Sequence, residues 1–154
     1  MTTTTVRRRI AAPPHRVYEA LLDPAAIARW RVPASMTCVV HEFEAREGGR
    51  VHVSLTYDTP DGVGKTAAHT DSYRGRLVRL VPDREVVEVD EFETDDPALQ
   101  GEMTMTFTLA EAEGGTELVA VHENVPPAVS AADNELGWNE SLDRLAALVE
   151  QGES

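Results

Sequence analysis

From about residue 36 to residue 125 the hydrophobic pattern of this chain alternates with a period of two, and it does so through six consecutive segments. They are "MTCVVHEFEA", "GGRVHVSLTYD", a long stretch from about Thr66 to Leu80, "REVVEVDEFE", "GEMTMTFTLAEA" and "GTELVAVHENV". Turn signals separate them: Glu47-Gly48-Gly49, "TPDGVG", "VPD" and Gly114-Gly115. Six strands joined by short connections pair antiparallel, and an antiparallel sheet with one apolar face needs a cover. The cover follows at once in "PPAVSAADNELGWNESLDRLAALVE", where Trp138, Leu142, Leu145 and Val149 recur at helical spacing and Ser130 with Asp133 forms a capping-box-like start.

Ahead of the meander, a short strand over Thr4 to Ile10 precedes two short helices. "PPHRVYEALLD" places prolines in a first helical turn, and "DPAAIARW" restarts with Asp23 as N-cap and Pro24 at the first helical position. The reading is one α+β domain over residues 1–154, in the order strand, two helices, six strands, long helix. A chain of 154 residues is the size of one domain and long enough to bury a core.

Charge and cysteine content narrow the function classes. With 14 Lys and Arg against 27 Asp and Glu, the formal charge is -13, which repels phosphate backbones and anionic lipid surfaces, so neither nucleic acid nor membrane is the expected partner. "VRRRI" at 6–10 has no basic patch downstream to support it and reads as a solvated first strand. Cys38 is the single cysteine, which excludes an intramolecular disulfide and fits a reducing cytoplasm. No apolar run approaches the ~20 residues of a membrane span, and the start lacks the apolar core of a secretory signal.

The segments "APPHRVYEALLDPAAIARW", the Gly48-Gly49 turn opening a strand, "YRGRLVRLVPDREVVEV", "GGTELVAVHENVP" and "GWNESLDRLAALV" together resemble the START-like (SRPBCC) superfamily. Within it they are most similar to the family named after the activator of heat-shock protein 90 ATPase. The resemblance implies a helix-grip fold, in which a curved antiparallel sheet wraps a long C-terminal helix and leaves a cavity between them. It implies little about activity, since the superfamily includes lipid carriers, hormone receptors, aromatic cyclases and cochaperone domains. The cochaperones carry a companion domain for which this chain has no room.

Motifs for chemistry are sparse. "GVGKT" ends like a phosphate-binding loop, yet its first glycine would fall at Thr59 and it joins two strands. His15, His41, His52, His69 and His122 show no metal-ligand spacing, although a sheet could bring His52, His69 and His122 together; no metal and no cofactor are expected. Ser54, Ser72, Ser141 and Cys38 lie in no nucleophile context.

The informative pattern is a set of mixed side chains on strands that could face the helix. His69, Asp71 and Tyr73 share one parity, Val87, Val89 and Glu91 a second, and Met103, Met105 and Phe107 a third, with Trp138, Ser141 and Leu142 opposite on the helix. Apolar walls with a few polar groups suit a small-molecule cavity, in which buried polar atoms penalise ligands that leave them unpaired. Three readings stay open. One is a binding protein for an apolar or aromatic ligand with a polar group near His69 and Tyr73. The second is a cyclase, dehydratase or hydrolase in the same cavity, with His69 as general acid or base. The third is a chaperone-interacting module that uses its acidic surface; under any of the three the expected state is monomer or homodimer. Along one strand His69, Asp71 and Tyr73 step by roughly 6–7 Å, too far for a direct dyad and suited to successive contacts on one ligand. The rival reading of the row is a solvated outer face.

Overall fold

The computed structural model describes residues 2–32, 36–57 and 70–151. Strand β1 spans Thr2–Ile10, helices α1 and α2 span Pro14–Leu22 and Pro24–Trp30, and six strands follow: β2 Met36–Phe43, β3 Arg50–Tyr57, β4 Thr70–Val81, β5 Glu85–Phe92, β6 Met103–Ala112 and β7 Gly115–Val125. Helix α3, Ala131–Glu150, closes the chain. The strands form one antiparallel sheet in the order β1-β7-β6-β5-β4-β3-β2, so the six-strand meander is as expected and β1 completes the sheet beside the last strand. Helix α3 lies against the sheet, and the fold is the α+β helix-grip arrangement.

The local chemistry explains the element ends. Proline opens both short helices, and the Asp23 carboxylate accepts the Ala25 N–H at 3.0 Å, satisfying a donor that the helix cannot. At α3 the Ser130 hydroxyl accepts the Asp133 N–H at 3.2 Å, with Asp133 as the acidic residue of the first turn. Gly48 and Gly114 adopt φ of 83° and 77° in hairpin connections, a backbone that costs a side-chain-bearing residue strain.

The C-terminal half of α3 packs tightly. Leu142, Leu145, Ala146 and Val149 are buried in a core shared with α1, α2 and the sheet, where Trp30, Phe107, Leu118 and Ile10 are almost fully enclosed. The Trp30 indole N–H reaches the Ala20 carbonyl at 2.9 Å, and its ring meets Phe107 edge-on. The concave row is Val51, Val53 and Leu55 on β3, Asp71, Tyr73 and Leu77 on β4, Met103, Met105 and Phe107 on β6, and Leu118, Ala120 and His122 on β7.

On β5 the expected parity is reversed. Val86, Glu88 and Asp90 point inward and are buried, whereas Val87 and Val89 are half-buried on the other face and Glu91 is exposed. Valines at alternate positions are the more apolar row, and they mark a core face in an isolated strand. Here an arginine from elsewhere in the chain supplies the charge that lets two carboxyl groups take that face.

Candidate functional site

Helix α2 ends on Arg31, whose backbone N–H caps the helix at the Ile27 carbonyl, 2.9 Å away. That turn sends its side chain under the sheet, where Arg31 is only 6% exposed. Its guanidinium donates to both oxygens of Glu88 at 2.9 Å each, the planar fork matching the carboxylate, and lies 3.6 Å from Asp90 Oδ2. Its central carbon is 5.6 Å from the Tyr73 ring centre, 5.8 Å from Phe107 and 5.6 Å from Trp138. Three aromatic rings thus surround the cation and replace part of its lost hydration.

Burial works against the Arg31 charge, yet Glu88, Tyr73 and Asp90 hold its pKa well above the ordinary value. For Glu88, burial favours the neutral acid, but the Arg31 charge and hydrogen bonds from Asp90 and Arg31 outweigh it and keep it ionised. Asp90 goes the other way. Burial and the neighbouring Glu88 carboxylate push its pKa well up, so it stays protonated and donates to Glu88. The constellation therefore holds one cation, one anion and one neutral acid. Asp90 Oδ1 is buried without a hydrogen-bond partner among the described residues.

Two residues one helical turn apart on α3 reach across to β7. Asn134 Nδ2 and the Trp138 indole N–H both meet His122 Nδ1, at 3.1 and 3.2 Å, and Asn134 also donates to the Thr4 hydroxyl. Indole nitrogen is only a donor, so Nδ1 is the acceptor and the ring proton sits on Nε2. Burial and the Arg31 charge lower the His122 pKa to about 4, leaving the imidazole neutral.

Between this layer and the N-terminal half of α3 lies a cavity of about 530 Å³. Its polar lining includes Arg31, Asp71, Asp90 and His122, and its apolar lining includes Met103 and Trp138. Of the residues singled out by sequence, Asp71, Tyr73, Met103, Trp138 and Ser141 border it. Met105, Phe107 and Leu142 are core residues, buried toward the tightly packed end of α3, and Val89 and Glu91 lie on the opposite face. His69 and the "GVGKT" stretch lie outside the described residues. His52 faces away from His122: it pairs with Glu93 at 2.8 Å on the outer side of the sheet, where His41 meets Ser54 and Ser54 meets Ser72, both also at 2.8 Å. Those two histidines therefore belong to different faces. No group of three or more metal-ligating side chains is found among the described residues. Burial raises the Cys38 thiol to about 11, which makes it an inert core group.

Sequence reasoning missed Arg31, Glu88, Asp90 and Asn134. The signal for the acids was present in "VEVDEF", where acidic residues hold one parity of an otherwise apolar strand; Arg31 stood alone after a helix and carried none.

These features define a helix-grip domain with a polar-floored cavity. The chain belongs to the family described as activator of Hsp90 ATPase homolog 1-like proteins, whose model matches residues 11–150. Protein CV1439 from Chromobacterium violaceum is similar at 38% identity over 96% of each chain, with a TM-score of 0.86. A protein from Rhodobacter sphaeroides shares 25% identity over 99% of this chain and 94% of its own, with a TM-score of 0.81. The AHSA1 protein SPO3351 from Silicibacter pomeroyi has the same fold, at 18% identity and a TM-score of 0.81, covering 99% of this chain and all of its own. No protein with a curated description matches the chain. No helix among the described residues is long and apolar enough to cross a membrane.

Proposed function

We propose that the chain binds a small apolar or aromatic molecule in the cavity between sheet and α3. The observation that carries this is the half-open cavity of about 530 Å³ beside a helix whose other half is packed into the core. A helix–sheet interface without a ligand role gains from closing over its whole length, since unfilled apolar wall forfeits dispersion contacts. Volume and mixed lining are those of small-ligand sites, where apolar area gives affinity and a few fixed polar groups give orientation.

The binding reading is better supported than catalysis. The basic lone pair of His122 already accepts two hydrogen bonds, so the one imidazole that lines the cavity among the described residues is committed to structure. A chaperone-facing role draws less support, because among the described residues the exposed large apolar side chains, Val39, Val78 and Leu136, fall on three separate elements.

The test is titration with the neutral dye N-phenyl-1-naphthylamine, whose emission rises in apolar surroundings. Saturable enhancement is expected in the parent protein. It is lost in Met103→Trp, which places an indole in the cavity, with the circular dichroism spectrum unchanged. Absence of enhancement in the parent, or equal enhancement in the variant, refutes the reading.

A further inference from the structure

We infer that the ligand carries an uncharged carbonyl group, which accepts hydrogen bonds from the Nε2–H of His122 and from the hydroxyls of Tyr73 and Ser141. The inference rests on the cavity reading above and adds the chemistry of the ligand's polar end.

Three side chains that border the cavity hold polar hydrogens the fold does not use. Tyr73 on β4 is 8% exposed and Ser141 on α3 is 4% exposed, and neither hydroxyl has a hydrogen-bond partner among the described residues. The unpaired buried atoms shut off from any surface there are Thr2 Oγ1 and Asp90 Oδ1, so both hydroxyls keep open surface, and the surface their residues share is the cavity. His122 on β7 uses its Nδ1 lone pair on Asn134 and Trp138, at 3.1 and 3.2 Å, which leaves the ring proton on Nε2. That N–H likewise has no partner among the described residues and is not one of the shut-off atoms. The three groups lie around one ring. His122 accepts the Trp138 N–H, Ser141 neighbours Trp138 one turn along the helix, and Tyr73 sits across Arg31, whose Cζ is 5.6 Å from both rings.

The donor set decides the chemistry. A ring N–H can only donate, so the group opposite His122 is an acceptor; a hydroxyl can donate or accept, and the other two adapt to it. All three are uncharged, as a phenol, an alcohol and a neutral imidazole. Neutral donors match a neutral oxygen with two lone pairs: a ketone, quinone or lactone carbonyl on an apolar or aromatic frame. A buried polar group without a partner is unfavourable, and a ligand that lacks the oxygen leaves these groups in that state. The apolar wall holds a hydrocarbon of the same shape as well as the ketone, so what the donors add is selectivity.

The experiment is equilibrium dialysis at pH 7 with 2-acetonaphthone and 2-isopropenylnaphthalene, which share one shape and differ in C=O against C=CH2, and with 2-naphthoate. Tyr73→Phe and Ser141→Ala each remove one hydroxyl from the wall. Each is expected to weaken the ketone at least about threefold and to leave the hydrocarbon as tight or tighter, and the naphthoate is expected to bind the parent more weakly than the ketone. In the parent with 15N-labelled histidine, the His122 Nε2–H proton is expected to move downfield on saturation with the ketone and to stay in place with the hydrocarbon, a reading that needs no variant to fold. A ketone-to-hydrocarbon ratio equal in the parent and both variants, with no shift at Nε2, shows that water alone serves these groups and overturns the inference, while hydrocarbon binding leaves the cavity reading standing. Failure of the ratio or of the shift alone overturns the contact it reads. Tighter binding of naphthoate overturns the uncharged carbonyl. Binding of neither ketone nor hydrocarbon refutes both readings.

Discussion

At the scale of single residues, Glu88 and Asp90 share a strand face and a neighbour, yet their roles differ. Glu88 is 1% exposed and neutralises Arg31 through two 2.9 Å hydrogen bonds; Asp90 is a neutral acid that donates to Glu88. Removing one partner of a buried ion pair strands the other charge, which is far more costly than replacing a neutral donor by another donor. Asp90→Asn is therefore expected to change stability by less than about 1 kcal/mol, since the amide can still donate. Glu88→Gln is expected to cost about 2 kcal/mol, limited because Asp90 then ionises and takes over Arg31 from 3.6 Å. The double variant has no carboxylate left for Arg31 and is expected to lose about 3–5 kcal/mol, more than the sum. Urea denaturation of the four proteins measures the coupling; additive losses would show that the two carboxyls act independently.

At the scale of elements, β4 and β5 are held close by Gly75. Its partner in register is Asp90, and a Cβ at Gly75 would lie 2.1 Å from the Val89 carbonyl oxygen as well as 2.1 Å from Asp90 Oδ1. A side chain can rotate away, but a strand carbonyl cannot without moving the ladder. Gly75→Ala is expected to destabilise the protein by at least about 2 kcal/mol, even though alanine suits a strand better than glycine in general. A urea midpoint within error of the parent would show that the strands part freely. Helix α3 divides its labour along its length: Asn134 and Trp138 fix His122 beside the cavity, while Leu145 and Val149 anchor the far end in the core.

At the scale of the whole molecule, the buried polar layer couples folding to pH. His122 has its pKa lowered to about 4 in the folded protein, against about 6.5 in an unfolded chain. Between those values the unfolded chain binds a proton that the folded one refuses, so the His122 contribution is present above pH 6.5 and is lost as pH falls toward 4. Asp90, with its pKa raised, acts in the opposite sense: the folded state takes up its proton first, and its contribution fades as pH rises through that raised value. Comparison with His122→Gln, which keeps an acceptor for Asn134 and Trp138, isolates the histidine. Going from pH 7 to pH 4, the parent is expected to lose about 1–3 kcal/mol more than the variant in urea titrations. Parallel pH profiles would contradict a neutral buried imidazole.

The sequence by itself determined the element order, the meander, the caps and the family, because each rests on local periodicity, on turn chemistry or on motifs in series. Proline at helix starts, Ser130 with Asp133, and the glycine turns act through neighbours a few residues away, and such rules are readable in one dimension. It also brought Asp71, Tyr73, Met103, Trp138 and Ser141 to notice as one mixed set. What only the tertiary structure decided is the face of β5 and everything that follows from it. Val87 and Val89 were the apolar choice, but Arg31, 57 residues from Glu88 in the chain, made the acidic row the stable one to bury. A charge can be buried where a distant opposite charge meets it, and no local pattern records that meeting.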